Sequence, residues 1–258
     1  MSVISTHNYG FFSCCSVKLT NIVDYINKNS KTPDYVDSSA QFAWYKKKYG
    51  DITYEYFDHY DSIEDVSITY PIKYHWDDQF INYSDLDYNN VIPVVKKYFS
   101  PSKTITNIIE NFEHKYKLVY DNICVLFYRG NDKVQETALC AYDEYLVYTN
   151  LIIKSNPNII FLIQSDETEF IDFIRDRFPN NSFYFKDEIR HMKKCHSTVD
   201  KVMNHDNLLF SKYYLAITII MSKCKYIVCG SGNCSIWIVL YRGNNNNVYQ
   251  NLNNKWLI

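Results

Sequence analysis

Apolar residues in the second half of the chain come in two kinds of run. Asn122–Arg129 (NICVLFYR) and Asn158–Ser165 (NIIFLIQS) are unbroken and of strand length, with Lys225–Cys229 (KYIVC) as a shorter third. Ser182–Phe185 adds a brief strand. Between them, Ala138–Lys154 carries apolar residues at helical spacing, and Glu167–Phe178 (ETEFIDFIRDRF) is an amphipathic helix closed by Pro179. Leu208–Cys224 reads as a buried helix, and Asn233–Arg242 as a helix ending at Gly243. Strands that are apolar along their whole length are buried on both faces. Alternating with helices, they predict an α/β unit with a parallel sheet covered on both sides.

The first half is less periodic. Val3–Ser5, a turn at Gly10 and Val17–Asn27 predict one strand–loop–helix unit. Asp51–Phe99 is dense in Tyr, Asp and His. Ser100-Pro101 predicts a helix over Thr104–Lys117, with Ser100 as N-cap and Pro101 in the first position. A boundary near Lys115–Asn122 divides the chain into residues 1–117 and 118–258. The one homopolymer, Asn244–Asn247, reads as a surface loop, and no internal repeat is present.

Composition narrows the function classes. With 27 Lys and Arg against 29 Asp and Glu, there is no basic excess to offset a phosphate backbone, so no nucleic-acid partner is expected. The longest apolar run, Leu208–Met221, is interrupted by Ser211 and Lys212 and is too short for a transmembrane segment. The N-terminus lacks a basic n-region and an apolar h-region, and a cytoplasmic location is expected. Eight cysteines without a CxxC pair or framework spacing read as reduced thiols. The sequons at Asn82, Asn180 and Asn233 carry little meaning without an export signal.

Chemistry gathers at three strand ends: Arg129-Gly130-Asn131-Asp132-Lys133, Ser165-Asp166-Glu167 and Gly230-Ser231-Gly232-Asn233. In open parallel sheets ligands bind beyond the carboxyl ends of the strands. Three of the chain's six glycines lie in these loops, where the backbone must turn or approach a ligand closely. The third loop runs into a helix, so its amides are candidates to receive a phosphate.

These segments resemble a known family. VLFYRGNDKVQETALCAYDEYL is similar to the arginine motif of the α-1,6-fucosyltransferases, and FLIQSDETEF to their strand followed by Thr-Asp-Asp. MSKCKYIVCGSGNCSIWIVLYRG resembles their last motif, with its Asn-Cys-Ser-Ile-Trp part also similar to α-1,2-fucosyltransferases. The resemblance spans Asn122 to Gly243, and YFSPS at Tyr98–Ser102 is compatible with it. It implies a GT-B-like fold, two Rossmann-like domains facing a cleft, with the parallel sheet in the C-terminal half. Residues 118–258 would bind a nucleotide-sugar, GDP-fucose favoured, and residues 1–117 would form the acceptor side for a glycan or glycoconjugate.

Carried over residue by residue, the resemblance implies that Arg129 contacts the donor pyrophosphate, where a guanidinium stabilises charge growing on the leaving β-phosphate. Lys133 matches the motif lysine and Asp132 the motif aspartate. Glu136 is the candidate general base, one residue before the family's glutamate position, which Thr137 occupies. Asp166, Glu167, Ser231, Gly232 and Asn233 complete the donor-binding set. Basic groups stand where a metal would neutralise phosphate, so no metal or other cofactor is expected. Asp85-Leu86-Asp87 is the one Asp-x-Asp triplet to watch.

Three positions depart from the family. Phe127 replaces a histidine, Gly130 a second arginine, and Ile217 falls where an aspartate reads the guanine. A non-catalytic nucleotide- or glycan-binding relative, or a structural protein that kept the fold, therefore stays open. Arg129 with Asp132 also fits a surface ion pair, Asp166 and Glu167 fit helix N-terminal charges, and Ser231–Asn233 fits a plain turn. His191, Cys195, His196 and His205 lack the spacing of a zinc site. Lys46–Lys48 reads as a solvated face. Tyr74–Asp78, aromatic rings beside carboxylates, is a candidate acceptor contact. No Walker A, HExxH or GxSxG pattern occurs. As a strand-end residue facing a cleft, Arg129 is expected to contribute little to folding.

Overall fold

Six strands form the main sheet of the computed structural model, which describes residues 2–46, 50–63 and 67–258. Lys47 and Lys48 of the lysine run lie outside the described residues. Its centre is β3 (Ile123–Tyr128), every residue of which is buried. It lies parallel to β4 (Ile160–Ser165) on one side and β6 (Tyr226–Gly230) on the other. Two flanking neighbours saturate its backbone, and two covered faces require apolar side chains throughout. β5 (Ser182–Phe183) extends the sheet beyond β4, and β7 (Val248–Leu252) pairs parallel with β6. Only β8 (Lys255–Leu257) runs antiparallel, giving the order β5-β4-β3-β6-β7-β8.

The N-terminal half is a smaller α/β unit. β1 (Ser2–Ile4) pairs parallel with β2 (Tyr35–Asp37), and α1 (Phe11–Asn29) makes the crossover between them. After the one-turn helix α2 (Thr53–Tyr56), α3 (Tyr88–Phe99) and α4 (Lys103–Tyr116) lead to β3. Ser102, not Ser100, caps α4: its hydroxyl accepts from the Ile105 N–H at 3.4 Å. α3 continues to Phe99, and Ser100 is held extended before the proline, the conformation that a following pyrrolidine ring imposes. α1 likewise starts at Phe11, six residues before the predicted Val17.

In the second half, α5 (Tyr142–Ser155) links β3 to β4. It starts four residues later than predicted, because the Glu144 carboxylate accepts from the Ala141 N–H at 2.9 Å and fixes the first turn there. α6 (Thr168–Arg177), the short α7 (Val199–Val202), α8 (Asn207–Lys223) and α9 (Asn233–Arg242) complete the fold. Gly243 ends α9 with φ 77°, a left-handed conformation that glycine adopts without steric cost. The hairpin β7–β8 was not predicted. Its turn is Asn253-Asn254, both at positive φ, which asparagine tolerates and a two-residue hairpin turn demands.

The core is continuous across both halves. Trp237 of α9 is fully buried, stacks on Phe12 of α1 at 6.1 Å and packs on Phe99 of α3 at 4.8 Å. Its indole N–H donates to the Ser16 hydroxyl at 3.0 Å. This packing sets the mouth of α9 and the carboxyl ends of β3 and β4 against the N-terminal unit. All eight cysteines are free, and among the described residues no helix is long and apolar enough to cross a membrane.

Candidate functional site

A cleft of about 750 Å³ opens beyond the carboxyl ends of β3, β4 and β6, between the two halves. That size suits a small-molecule ligand. Arg129, Asp166 and Ser231 all line it, opposite Phe12, Tyr45 and Gln79 of the N-terminal half.

Arg129 is the hub. Leaving β3 one residue beyond its end, it donates through Nε to Asp166 Oδ2 and through Nη2 to Asp132 Oδ1, both at 2.9 Å. Nη1 donates to Cys234 Sγ at 3.3 Å. Burial disfavours its charge, but the nearby Asp166 carboxylate leads the effects that hold it firmly protonated. The side chain is one-quarter exposed, so the guanidinium is braced on two sides and still open to the cleft. Arg129 was expected to contribute little to folding, and the structure places it in two ion pairs, so that expectation is replaced by a testable one. Asp166 is itself fixed, since its Oδ1 accepts from the Gly130 N–H at 3.0 Å.

Lys133 comes from the turn after β3, residues Asn131–Gln135, and is nearly buried. Its ammonium pairs with Glu136 and donates to Gln79 Oε1 at 3.4 Å, reaching across to the N-terminal half. It runs against the backbone of Gly232: a Cβ there would lie 2.8 Å from Lys133 Cε. Gly232 is favoured by its φ of 154°, which side-chain-bearing residues rarely adopt, and a Cβ there would also displace the end of Lys133. Glu136 is nearly half exposed at the rim of the cleft.

The β6–α9 loop is partly committed to the fold. The Ser231 hydroxyl donates to the Asn251 carbonyl at 2.9 Å and receives the Gln250 amide at 2.8 Å. The Ser231 N–H goes to Asn251 O and the Gly232 N–H to the Tyr83 hydroxyl, so neither amide is free for a phosphate. The amides of Asn233, Cys234 and Ser235, in the first turn of α9, have no partner within the helix. Asn233 lines the cleft, and its buried Oδ1 has no hydrogen-bond partner.

Of the residues singled out by sequence, Arg129, Asp132, Lys133, Glu136, Asp166, Ser231, Gly232 and Asn233 converge on the cleft, and Glu167 does not. Glu167 is buried behind the β3 loop, where it packs against Gly130 and accepts from the Tyr142 hydroxyl. Burial pushes its carboxyl above the usual range. Phe127 and Ile217, two of the positions that depart from the family, both line the cleft. Of the aromatic segment, Trp76 faces the cleft. The Asp87 carboxylate is taken up by the Lys73 N–H at 3.1 Å and the Asn90 amide, away from it. The His191 ring is hydrogen-bonded to the Thr168 hydroxyl at 2.8 Å, and among the described residues no three His, Cys, Asp or Glu side chains group as metal ligands.

Sequence reasoning missed the far wall. Arg190 is almost fully buried there and pairs with Asp200 at 2.5 Å, whose other oxygen accepts from the Tyr45 hydroxyl at 2.9 Å. No local motif marks these residues. The chain after β5 folds back along β4, with the Met192 N–H donating to Asp166 O and Met192 O accepting from Thr168 N–H, and so carries Arg190 to the cleft. Gln164 was hidden inside an apolar strand.

No protein-family profile and no curated protein matches the chain. Solved structures do. The NodZ α-1,6-fucosyltransferase soaked with GDP-fucose superposes with a TM-score of 0.53 at 10% identity, over 93% of this chain and 92% of that one. The fucosyltransferase NodZ from Bradyrhizobium gives 0.45 at 11% identity, over 88% and 86%. POFUT1 in its apo form gives 0.40 at 12% identity over 62% of this chain, which spans about half the POFUT1 chain (49%). At such identities the likeness is one of fold, and the fold is α/β of the GT-B type that NodZ has.

Proposed function

We propose that the chain is a fucosyltransferase-like glycosyltransferase that moves a sugar from a nucleotide-sugar, GDP-fucose favoured, to a glycan acceptor. Residues 118–258 take the donor and residues 1–117 the acceptor side. The observation that carries this reading is Arg129, braced by Asp132 and Asp166 at the carboxyl end of the central strand, beside Lys133 and the first turn of α9. A fixed guanidinium open to a cleft is a preorganised partner for a diphosphate and gains strength as charge builds on the leaving group.

In the reaction, the acceptor hydroxyl gives its proton to a base, for which Glu136 is the candidate, and its oxygen attacks the anomeric carbon. The bond from that carbon to the β-phosphate oxygen breaks on the opposite face, so configuration inverts. Arg129 and Lys133 take up the diphosphate charge, and no metal is needed for that role. The test is sugar transfer and donor hydrolysis with GDP-, UDP- and dTDP-sugars in excess EDTA. Turnover with at least one donor, undiminished by EDTA, is expected. Activity lost in EDTA and restored by manganese would refute metal independence, and donor binding without any turnover would identify a non-catalytic relative.

A further inference from the structure

Trp237 belongs to the core, and Trp44 and Trp256 pack against it; Trp76 does neither. It is 41% exposed on the cleft wall that the N-terminal half contributes. Tryptophan is highly buried on average, because its apolar surface is large. The indole N–H of Trp237 donates to Ser16 and that of Trp256 to Glu144 at 2.9 Å. Among the described residues, the Trp76 N–H has no protein acceptor.

The backbone that carries this open indole is fixed. Trp76 begins a 3-10 turn, Trp76–Phe80, whose start is tied in both directions. The Asp77 N–H donates to His75 Nδ1 at 3.3 Å, and the His75 N–H to Asp78 Oδ2 at 2.9 Å. The His75 ring lies 5.2 Å from the indole and tilted to it by 44°. In a 3-10 turn, side chains three residues apart eclipse, about 6 Å apart along the axis. Trp76 therefore shares a face with Gln79, whose Oε1 accepts from Lys133 Nζ at 3.4 Å. The same ammonium pairs with Glu136. A held indole on the N-terminal half and the candidate base on the other thus flank one ammonium.

A pyranose has C–H bonds on a ring face and hydroxyls around its edge. An indole face covers the first by apolar burial, and the indole N–H is a donor for one of the second. The carboxylates of Asp77, Asp78 and Glu136 surround the position and disfavour an anionic sugar. Resting on the glycosyltransferase reading, we propose that Trp76 is the platform on which a sugar ring of the acceptor stacks, holding its hydroxyl toward Glu136. The acceptor class is then a neutral glycan with an open C–H face.

The test is a glycan array, probed with and without GDP, that carries neutral oligosaccharides of glucose, galactose, mannose and N-acetylglucosamine beside sialylated and uronic-acid ones. The strongest binder is then titrated calorimetrically into the wild type, Trp76→Ala and Trp76→Phe. The wild type should bind neutral glycans in preference to acidic ones. Trp76→Ala should weaken that binding about tenfold, and Trp76→Phe should stay within about threefold. GDP affinity and melting temperature should not change in either variant. A wild type that binds no neutral glycan, or prefers acidic ones, would overturn the proposal, as would unchanged glycan affinity in Trp76→Ala. A loss of GDP affinity in Trp76→Ala would assign the indole to the nucleobase and overturn it as well. If GDP fails to bind the wild type while glycans do, the donor reading falls and the platform stands.

Discussion

Removing the Arg129 guanidinium perturbs folding and chemistry by separable amounts. Arg129→Ala strands Asp166, which is 8% exposed and keeps only the Gly130 N–H, and it frees Asp132 to solvent. Breaking a fully buried pair costs about 3–5 kcal/mol. Here the arginine is one-quarter exposed and solvent screens part of the charge, so a loss of about 1–3 kcal/mol is expected. For a chain of this size that lowers the melting temperature by roughly 2–12 °C. Chemistry should suffer more, since deleting one oxyanion donor costs roughly 10²–10³ in turnover. Arg129→Lys should rescue poorly, because an ammonium cannot bridge Asp132 and Asp166 and still present a fork to phosphate. Asp132→Asn is the structural comparison: the guanidinium stays on Asp166, and turnover should fall no more than about tenfold. Melting curves and initial transfer rates on all three variants decide the matter. A folded Ala variant with wild-type turnover would refute the role. Equal turnover losses in Arg129→Ala and Asp132→Asn would reduce Arg129 to a structural partner.

Two further outcomes follow from neighbouring geometry. Glu136→Gln should retain donor binding and lose roughly 10²–10⁴ in transfer rate if Glu136 takes the acceptor proton; unchanged transfer would leave it only as the counter-ion of Lys133. Lys18, buried on α1 with its ammonium 5.6 Å from the Phe99 ring centre, is brought down to about 8 chiefly by burial, with the Asp51 charge opposing. Between pH 8 and 10.5 the unfolded chain holds a proton that the folded chain has released, so stability rises with pH across that window. Below it the full penalty applies, about 3 kcal/mol from the shift of the group. Lys18→Met should therefore raise the melting temperature at pH 7 and flatten the alkaline rise, and a lower melting temperature at pH 7 would contradict this.

The central sheet and the loop that carries Arg129 are legible in the amino-acid pattern. A strand covered on both faces must be apolar from end to end, as Ile123–Tyr128 and Ile160–Ser165 are, and the first polar residues beyond such strands mark the ligand end of the sheet. Gly130 and Gly232 stood out in a glycine-poor chain as places of a turn or close approach, and the structure shows that the approaching groups are the Glu167 and Lys133 side chains. Helix starts were less legible: Ser102 rather than Ser100 caps α4, and its hydroxyl is held by the Glu55 carbonyl, a partner that no local window contains. Tertiary structure alone decided that Glu167 turns behind the β3 loop while its neighbour Asp166 turns toward Arg129, since adjacent residues leave a strand end on opposite sides. It alone brought Arg190, Asp200 and Tyr45 together, residues up to 155 positions apart, by folding the segment after β5 back along the sheet. Local pattern reports which face of an element is buried, whereas a cleft wall is assembled from distant segments whose meeting depends on the packing of the whole chain.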